Sequence, residues 1–365
     1  MSAQFSTKDL SYLGRALQLA ARALYTTDPN PRVGCIITRQ DEVLGQGWHE
    51  RAGEPHAEVL ALRAAGPRAR GATAYVTLEP CSHTGRTPPC ADALIAAGVS
   101  RVVCCTRDPN PQVAGSGIER LQAAGIAVAV GAHAAEARGL NVGFFSRFER
   151  GRPYVRLKLA MTLDARTAPA TGTQLWISGD ESRADVQRLR ARSSAVLTGA
   201  GTVRSDDPRL DVRLEYGPWV RQPLRVVLDP RRSCARNARI FKDGGALVFA
   251  AMDSPAEPPD PQLPIERVPY ADGGLALDVV LQRLAAREVN ELLLECGPTL
   301  AGAFIAKHLV DELVLYDAPT LLGDAAAPLL YIKASSPSVA LPAFEFTEVQ
   351  RIGAALRLTL NLKKS

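Results

Sequence analysis

The chain has 365 residues, of which 46% are hydrophobic and 22% charged, and its formal net charge is +5. This length allows two domains of ordinary size, and the composition is that of a globular protein. So small a charge argues against a dedicated nucleic-acid-binding protein. No apolar run approaches the roughly 18 residues of a membrane-spanning helix. With no signal-peptide pattern and seven scattered cysteines, we expect a cytoplasmic protein without a disulfide framework.

The first 148 residues predict strands that alternate with helices. Helical spacing begins at Asp9 or Ser11, and either residue is a suitable cap. Two strands follow on either side of a turn at 40–41, and another helix begins near His56. Strand, helix and strand then continue through 72–130. This alternation predicts a three-layer α/β sandwich.

A short charged stretch, "SRFERGRPY" at 146–154, marks the predicted boundary between a domain of residues 1–148 and one of residues 149–365. The second domain also predicts strands that alternate with helices, and therefore an α/β fold. Its predicted strands are YVRLKLAMTL, SAVLTGA, LRVVLDP, GALVFAA, ELLLECG and DELVLYDAP, and its predicted helices are 180–192, 275–287 and 299–309.

The first domain contains a possible metal site, formed by "HAE" at 56–58 and by two cysteines of "EPCSHTGRTPPC". Zinc binds imidazole and thiolate ligands, and a catalytic zinc site keeps one position open for water. His56, Cys81 and Cys90 supply three ligands. Glu58, in the first turn of a helix, is placed to act as the acid or base. Cys90 opens a helix, whose N-terminus favours a thiolate.

Two other interpretations of these residues remain open. His83 lies between the cysteines, so that His56, Cys81, His83 and Cys90 would close a structural site with four ligands, and Glu58 would then be an ordinary acidic residue of a first turn. Alternatively, the residues are unconnected members of a core. The complete string of His-x-Glu, strand, Pro-Cys and helix-starting Cys favours the catalytic metal.

"HAE" together with "TLEPCSHTGRTPPC" resembles the deaminase half of the bifunctional riboflavin-biosynthesis deaminase/reductase family, and "TTDPNPRVGC" and "DPNPQVAGSGIERLQAAGI" resemble it too. Cys81 and Cys90 stand nine positions apart, and this spacing is that family's version of the zinc-deaminase motif. The resemblance implies a cytidine-deaminase-like three-layer α/β/α domain with zinc held by His56, Cys81 and Cys90. It further implies Glu58 as proton donor and acceptor, with Asn30 and His83 contacting the substrate.

The second domain lacks a complete dinucleotide-binding fingerprint. Gly199 and Gly201 are present, but no third glycine or later acidic residue stands at the required offset. A better phosphate site is predicted where the strand of "LLLECGPTLAGAF" runs into Gly297 and a helix begins, because free N–H groups point outward from a helix N-terminus.

"VRLKLAMTLDARTA", "LRARSSAVLTGAGTVRSDDPRL" and "ECGPTLAGAF" resemble the reductase half of the same family. The resemblance implies a dihydrofolate-reductase-like α/β domain that uses NADPH. The cofactor-binding residues that it implies are Ala160, Trp176, Thr202, Asp206, Gly297, Pro298, Thr299, Leu300, Ala301, Gly302 and Ala303. The substrate-binding residues that it implies are Lys158, Gln174, Arg190, Leu210, Arg213 and Glu295.

Two positions of this half depart from the family's pattern. Ala165 stands where a glycine is common, so a positive φ there would be strained. Gln174 stands where a serine is usual, which leaves its substrate contact open.

The resemblance therefore implies zinc-dependent deamination of 2,5-diamino-6-(5-phosphoribosylamino)pyrimidin-4(3H)-one, followed by NADPH-dependent reduction of the ribosyl group to ribityl. The enzyme would be both hydrolase and oxidoreductase, and the family implies self-association through the reductase domain. Three alternatives remain: a deaminase of another base or nucleoside with an unrelated second domain, a nucleotide sensor with structural zinc, and a deaminase with an inactive reductase domain.

Overall fold

A computed structural model describes residues 5–82, 89–169, 177, 179–213, 220–255, 263–332 and 341–363. The chain forms two compact units, Met1–Gly151 and Arg152–Ser365. The boundary predicted after residue 148 falls inside the last helix of the first unit, which continues to Arg150 and ends at a left-handed Gly151. No helix among the described residues has the length and apolar character needed to cross a membrane.

The first unit is a five-stranded sheet covered by helices on both faces. Its strands are β1 (Gly34–Arg39), β2 (Glu42–Trp48), β3 (Thr73–Val76), β4 (Arg101–Cys104) and β5 (Ala127–Val130). Its helices are α1 (Thr7–Ala21), α2 (Ala57–Ala65), α3 (Cys90–Ala97), α4 (Ser116–Ala123), α5 (Ala134–Leu140) and α6 (Val142–Arg150). The strand order is β2-β1-β3-β4-β5, with β3, β4 and β5 parallel. Residues of α2, α3 and α4 pack on one face, and residues of α1 and α5 on the other, as a three-layer sandwich requires.

The start of α1 differs from the prediction that Asp9 or Ser11 caps it. Ser6 is the N-cap, and its hydroxyl accepts a hydrogen bond from the Asp9 N–H while the Asp9 carboxylate accepts one from the Ser6 N–H. This reciprocal pair is a capping box. The buried Asp9 carboxylate also pairs with Arg101 at 2.7 Å and accepts a hydrogen bond from Tyr75, which fixes α1 on the sheet.

Local signals place the elements that carry the metal-binding residues. Gln40 and Asp41 both have positive φ and form the tight turn between β1 and β2, as the sequence predicts. His56 is the residue before α2, and Cys90 is the first residue of α3. Gly98, in the left-handed conformation that glycine adopts without strain, ends α3.

The second unit is built on a nine-stranded sheet of described residues. Its strands are β6 (Tyr154–Thr162), β8 (Ala195–Gly199), β9 (Leu224–Leu228), β10 (Ala246–Ala251), β11 (Ile265–Val268), β14 (Glu291–Leu294), β15 (Glu312–Ala318), β17 (Phe344–Ile352) and β18 (Ala355–Leu362). Their order in the sheet is β11-β10-β9-β8-β14-β6-β15-β18-β17. The remaining strands form two short pairs: β7 (Arg166–Ala168) with β16 (Ala327–Pro328), and β12 (Tyr270–Ala271) with β13 (Gly274–Leu275). The helices are α7 (Asp180–Arg192), α8 (Ala200–Asp206), α9 (Leu277–Ala286) and α10 (Pro298–Ala306).

All strands from β11 to β15 in this order are parallel, and β18 and β17 extend the sheet antiparallel. Apolar residues of α9 and α10 pack on one face of the sheet, and residues of α7 and α8 pack on the other. The parallel strands therefore end at one edge of the sheet, where loops that run into helices collect. That edge is where open α/β sheets bind ligands.

Ala165 has φ +55° in the turn between β6 and β7, which is the conformation that is strained for a residue other than glycine. Its N–H donates to the Thr162 carbonyl, and its own carbonyl accepts from the Leu329 N–H, so the surrounding hydrogen bonds hold the strained conformation. We expect Ala165→Gly to raise the free energy of unfolding of this unit by about 0.5–1 kcal/mol, because glycine adopts this φ freely.

Denaturant unfolding of the full chain measures this effect. Ala168, an exposed residue of β7, supplies the matched control: Ala168→Gly is expected to lower stability by about 0.5–1 kcal/mol, because glycine weakens an extended strand. If both substitutions destabilised the unit equally, strain at Ala165 would be refuted.

Candidate active sites

Three side chains that can bind a metal converge where α2 and α3 begin. The Nδ1 atom of His56 lies 3.2 Å from Sγ of Cys90 and 3.6 Å from Sγ of Cys81. All three potential ligand atoms lie within 4.8 Å of one another. One imidazole nitrogen and two sulfurs at this separation are a donor set that fits zinc. The structure therefore brings together the three ligands predicted from the sequence.

Glu58 lies beside these three residues in the first turn of α2 and is only 3% exposed. Its Oε2 atom has no hydrogen-bond partner among the described residues. Burial raises the pKa of Glu58 to about 7, against the opposing influence of His56. A carboxyl group with this pKa can accept and return a proton near neutral pH. A group that transfers protons next to a metal requires an oxygen atom that no other hydrogen bond occupies, and Oε2 of Glu58 is such an atom among the described residues.

The Cys81 and Cys90 thiols interact directly. A hydrogen bond from Cys90 lowers the pKa of Cys81, and the same hydrogen bond raises the pKa of Cys90. The Cys90 N–H also donates to Sγ of Cys81 at 3.3 Å. Metal ligation by both sulfurs requires both thiols to be deprotonated.

Asn30, the predicted contact to the pyrimidine, is held by a histidine that the sequence did not single out. His49 is buried, its ring lies 5.1 Å from that of His56, and burial lowers its pKa to about 4. Its Nδ1 lies 3.2 Å from the Pro55 carbonyl and its Nε2 lies 3.1 Å from Nδ2 of Asn30. A carbonyl can only accept, so Nδ1 carries the proton and Nε2 accepts from Asn30. This hydrogen bond fixes the orientation of the Asn30 side-chain amide.

Three predicted site residues, His83, Gln174 and Trp176, lie outside the described residues. The four-ligand alternative with His83 and the substrate contact of Gln174 therefore stay predictions.

In the second unit, two helix N-termini meet at the edge where the parallel strands β8 and β14 end. Gly199 is the N-cap of α8 and Gly297 the N-cap of α10, and neither helix has a side-chain cap among the described residues. A Cβ at Gly297 would lie 3.9 Å from Oγ1 of Thr202, and one at Gly199 would lie 3.3 Å from Leu300. Uncapped N–H groups at adjacent helix ends fit the phosphates of a dinucleotide.

The predicted cofactor residues divide by accessibility. Thr299 is exposed, Pro298, Leu300 and Ala303 are half-buried, and Asp206 is exposed one turn beyond Thr202 on α8. Ala301 is fully buried, and a Cβ at Gly302 would lie 2.0 Å from the Tyr331 carbonyl oxygen. The side of α10 that carries Ala301 and Gly302 therefore packs inside the protein.

The predicted substrate residues of this unit form a charged cluster. Arg190 pairs with Glu295 through two hydrogen bonds of 2.6 and 2.9 Å, and about a tenth of each side chain is exposed. Lys158 lies on β6 with Nζ 5.7 Å from the Tyr316 ring centre. Burial lowers the pKa of Lys158, and nearby Glu295 opposes that shift.

The segment after α8 carries the two remaining predicted substrate residues, the uncharged Leu210 and the charged Arg213. Leu210 is buried with φ +53°, a conformation that costs a bulky residue energy and recurs at functional sites. Arg213 pairs with Asp211 at 2.7 Å, and its charge helps to lower the pKa of Glu295. Ala160 lies two residues after Lys158 on β6, half-buried on the same strand face.

Comparisons with protein families identify both units. Residues 6–106 match the family model described as cytidine and deoxycytidylate deaminase zinc-binding region, and residues 153–358 match the RibD C-terminal domain. The second match excludes the alternative of an unrelated second domain.

Full-length relatives agree with these matches. The chain is 47% identical to the riboflavin biosynthesis protein RibD of Escherichia coli (97% of this chain, 99% of that protein) and 43% identical to that of Haemophilus influenzae (99% of each). Among solved structures, RibD of Acinetobacter baumannii superposes with TM-score 0.90 at 41% identity (98% of this chain, 99% of that one). A diaminohydroxyphosphoribosylaminopyrimidine deaminase/5-amino-6-(5-phosphoribosylamino)uracil reductase of Thermotoga maritima gives TM-score 0.84 at 32% identity (97% and 99%). The chain therefore belongs to the RibD family, whose members join a zinc-dependent deaminase and an NADPH-dependent reductase of riboflavin biosynthesis in one polypeptide.

Proposed function

We propose that the first unit deaminates 2,5-diamino-6-(5-phosphoribosylamino)pyrimidin-4(3H)-one, and that the second reduces the ribosyl group of the resulting aminouracil to ribityl. The observation that carries the proposal is the convergence of Nδ1 of His56 with the sulfurs of Cys81 and Cys90 beside the buried Glu58. A nucleotide sensor with structural zinc has no need of a buried carboxylate at that place whose Oε2 atom has no partner among the described residues.

In the deaminase unit, His56, Cys81 and Cys90 hold zinc, which when bound supplies Lewis-acid activation of water. Oε2 of Glu58 takes a proton from the attacking water and returns it to the departing amino nitrogen. The water oxygen forms a bond to the ring carbon, the carbon–nitrogen bond breaks, and ammonia leaves. Asn30, oriented by His49, presents its remaining amide groups to the pyrimidine edge, and His83 contributes to the same pocket.

In the reductase unit, the N-termini of α8 and α10 hold NADPH, which when bound supplies the hydride. Its contacts come from Ala160, Trp176, Thr202, Asp206 and the segment 297–303. Arg190 and Arg213 bind the phosphorylated sugar, because guanidinium groups grip phosphate with paired hydrogen bonds. Lys158 contributes the positive charge of its ammonium group. Glu295 orients Arg190, and Gln174 and Leu210 border the same sugar.

Metal removal tests the assignment of the first unit. After dialysis of the full chain against a strong chelator, we expect ammonia release from the diaminopyrimidine to be lost, and zinc addition to restore it. Reduction of supplied aminouracil by NADPH is expected to continue without metal, because no predicted ligand belongs to the second unit. Ammonia release that survives complete removal of zinc would refute the proposed site.

We further propose a homo-oligomer that forms through the second unit. An apolar sheet face supports it: Phe346 and Val349 on β17 and Leu356 on β18 are exposed, and exposed apolar patches of this kind often mark interfaces. Sedimentation of the full chain and of a Phe346→Asp variant tests this face.

The cytoplasm is the proposed compartment, because two metal-binding thiolates require a reducing environment.

A further inference from the structure

Glu79 stands two residues before Cys81 and is buried, with 3% of its surface exposed. Its Oε1 atom accepts hydrogen bonds from the N–H groups of Gly117 (3.0 Å) and Ile118 (3.2 Å). Its Oε2 atom accepts from the N–H groups of Asp108 (3.2 Å) and Gly115 (3.0 Å). Four donors occupy the roughly four acceptor positions of a carboxylate. All four belong to the loop 108–115 and the first turn of α4.

Further contacts join Thr106 and the first turn of α4 to the residues on both sides of Glu79 and Cys81. The Glu79 N–H donates to the Thr106 carbonyl at 3.0 Å. Beyond Cys81, the hydroxyls of Ser82 and Ser116 lie 2.5 Å apart. A Cβ at Gly117 would lie 1.9 Å from the Pro80 carbonyl oxygen, so only glycine allows this close approach. The segment 79–82 is thus fastened to this part of the chain before and after Cys81.

On its other side, Cys81 is fixed by the start of α3. The Cys81 carbonyl accepts from the Ala91 N–H at 3.1 Å, and its sulfur accepts from the Cys90 N–H at 3.3 Å. The direction of the Cys81 sulfur therefore depends on two supports, α3 and the loop that Glu79 holds.

We propose that Glu79 is a positioning residue of the zinc site. By holding the loop 108–115 and the first turn of α4 against the segment 79–82, it sets the direction of the Cys81 sulfur and thereby the affinity for the metal. This inference rests on the proposed ligand set of His56, Cys81 and Cys90. Groups that orient metal ligands typically change metal affinity 10- to 100-fold when they are removed.

The chemistry of the four donors decides which substitutions are informative. Glu79→Gln has the same shape, but it replaces one acceptor oxygen with an NH₂ group that faces N–H donors. Two of the four hydrogen bonds are then lost and replaced by repulsion. Glu79→Asp keeps the charge and is one methylene shorter, so it retains part of the hydrogen bonding. Glu42→Gln on β2, where the Glu42 side chain is 65% exposed, is the matched surface control.

Two measurements on the full chain test the role. Zinc affinity is obtained by competition with a chromogenic chelator, and the thiolate-to-cobalt absorption is recorded after Co²⁺ replaces zinc. We expect Glu79→Gln to lower zinc affinity 10- to 100-fold and to alter the cobalt absorption per bound ion, with Glu79→Asp intermediate in both. Glu42→Gln is expected to match wild type.

If Glu79 is purely structural, Glu79→Gln will lower the melting temperature while the folded variant keeps the wild-type zinc affinity and cobalt absorption. That result overturns the inference. If Glu79→Gln fails to fold, Glu79→Asp decides: unchanged affinity and absorption overturn the inference, and a reduced affinity supports it. Failure of the proposed ligand set is distinct, because wild type itself would then show no thiolate-to-cobalt absorption. Failure of the proposed deamination is also distinct, because wild type would then show this absorption and release no ammonia.

Discussion

Replacing Glu58 by Gln is expected to lower the rate of ammonia release about 10²- to 10⁴-fold, which is the usual contribution of a positioned acid or base. Gln has nearly the same shape but cannot accept the proton of the attacking water. Zinc content is expected to stay at the wild-type level, because Glu58 is not among the three converging ligands. Ammonia release under saturating substrate and zinc content by elemental analysis measure both quantities.

The same substitution at the exposed Glu42 is the control for this experiment, and it should leave ammonia release unchanged. Reduction of supplied aminouracil by the Glu58→Gln protein reports whether the chain is folded. A Glu58→Gln variant that is folded, holds zinc and still releases ammonia at the wild-type rate would rule out Glu58 as the proton-transfer group. That outcome would favour the structural-zinc interpretation.

Replacing Glu295 by Gln is expected to lower kcat/KM of the reductase about 100-fold or more. Arg190 would keep its charge in a largely buried place without the carboxylate that pairs with it at 2.6 Å, and breaking such a pair costs about 3–5 kcal/mol. Because Arg190 and Lys158 would no longer be held by this charge, we expect KM for the aminouracil to rise more than Kd for NADPH. Steady-state kinetics and NADPH fluorescence titration separate the two effects.

Glu288→Gln, at an exposed residue after α9, is the matched control in this unit. Loss of NADPH binding in Glu295→Gln without a rise in KM for the aminouracil would assign Glu295 to the cofactor side of the site. Wild-type kinetics with a lowered melting temperature would mean that the ion pair serves stability alone.

The metal ligands could be predicted because their signals are local. His56 and Cys90 stand next to helix starts, and the two motifs that carry the ligands are recognisable from residue type and spacing alone. Gln40 and Asp41 likewise mark their turn by composition. Strands β8, β10 and β14 of the second unit were predictable for a similar reason, since they are short and almost entirely apolar runs.

The residues that orient the site could not be predicted in this way. His49 depends on Asn30, 19 positions away, and on a main-chain carbonyl. Glu79 depends on four main-chain N–H groups that are 29 to 39 positions later, and main-chain donors have no signature in a sequence. The helix cap at Ser6 was missed because Asp9 is itself a good cap, and only the reciprocal hydrogen bonds with Ser6 show which residue begins α1.

The hairpin of β17 and β18 was also missed. Most residues of β17 are exposed, but β18 reads ALRLTLNL, and this alternation of apolar and polar residues is the pattern that predicts a half-buried strand. The sequence therefore held a signal for β18 that the predicted strands did not include. The pairing of β17 with β18 at the end of the sheet order comes from tertiary structure.

In the proposed function, two reactions follow one another on one chain, with deamination first. The most direct measurement gives zinc-loaded wild-type protein the diaminopyrimidine substrate, follows ammonia release without NADPH, and then adds NADPH and follows its absorbance. We expect ammonia release without the cofactor, and afterwards oxidation of one NADPH for each ammonia released. Ammonia release with no later oxidation of NADPH would mean an inactive reductase unit, and NADPH oxidation by substrate that has not lost ammonia would contradict the proposed order.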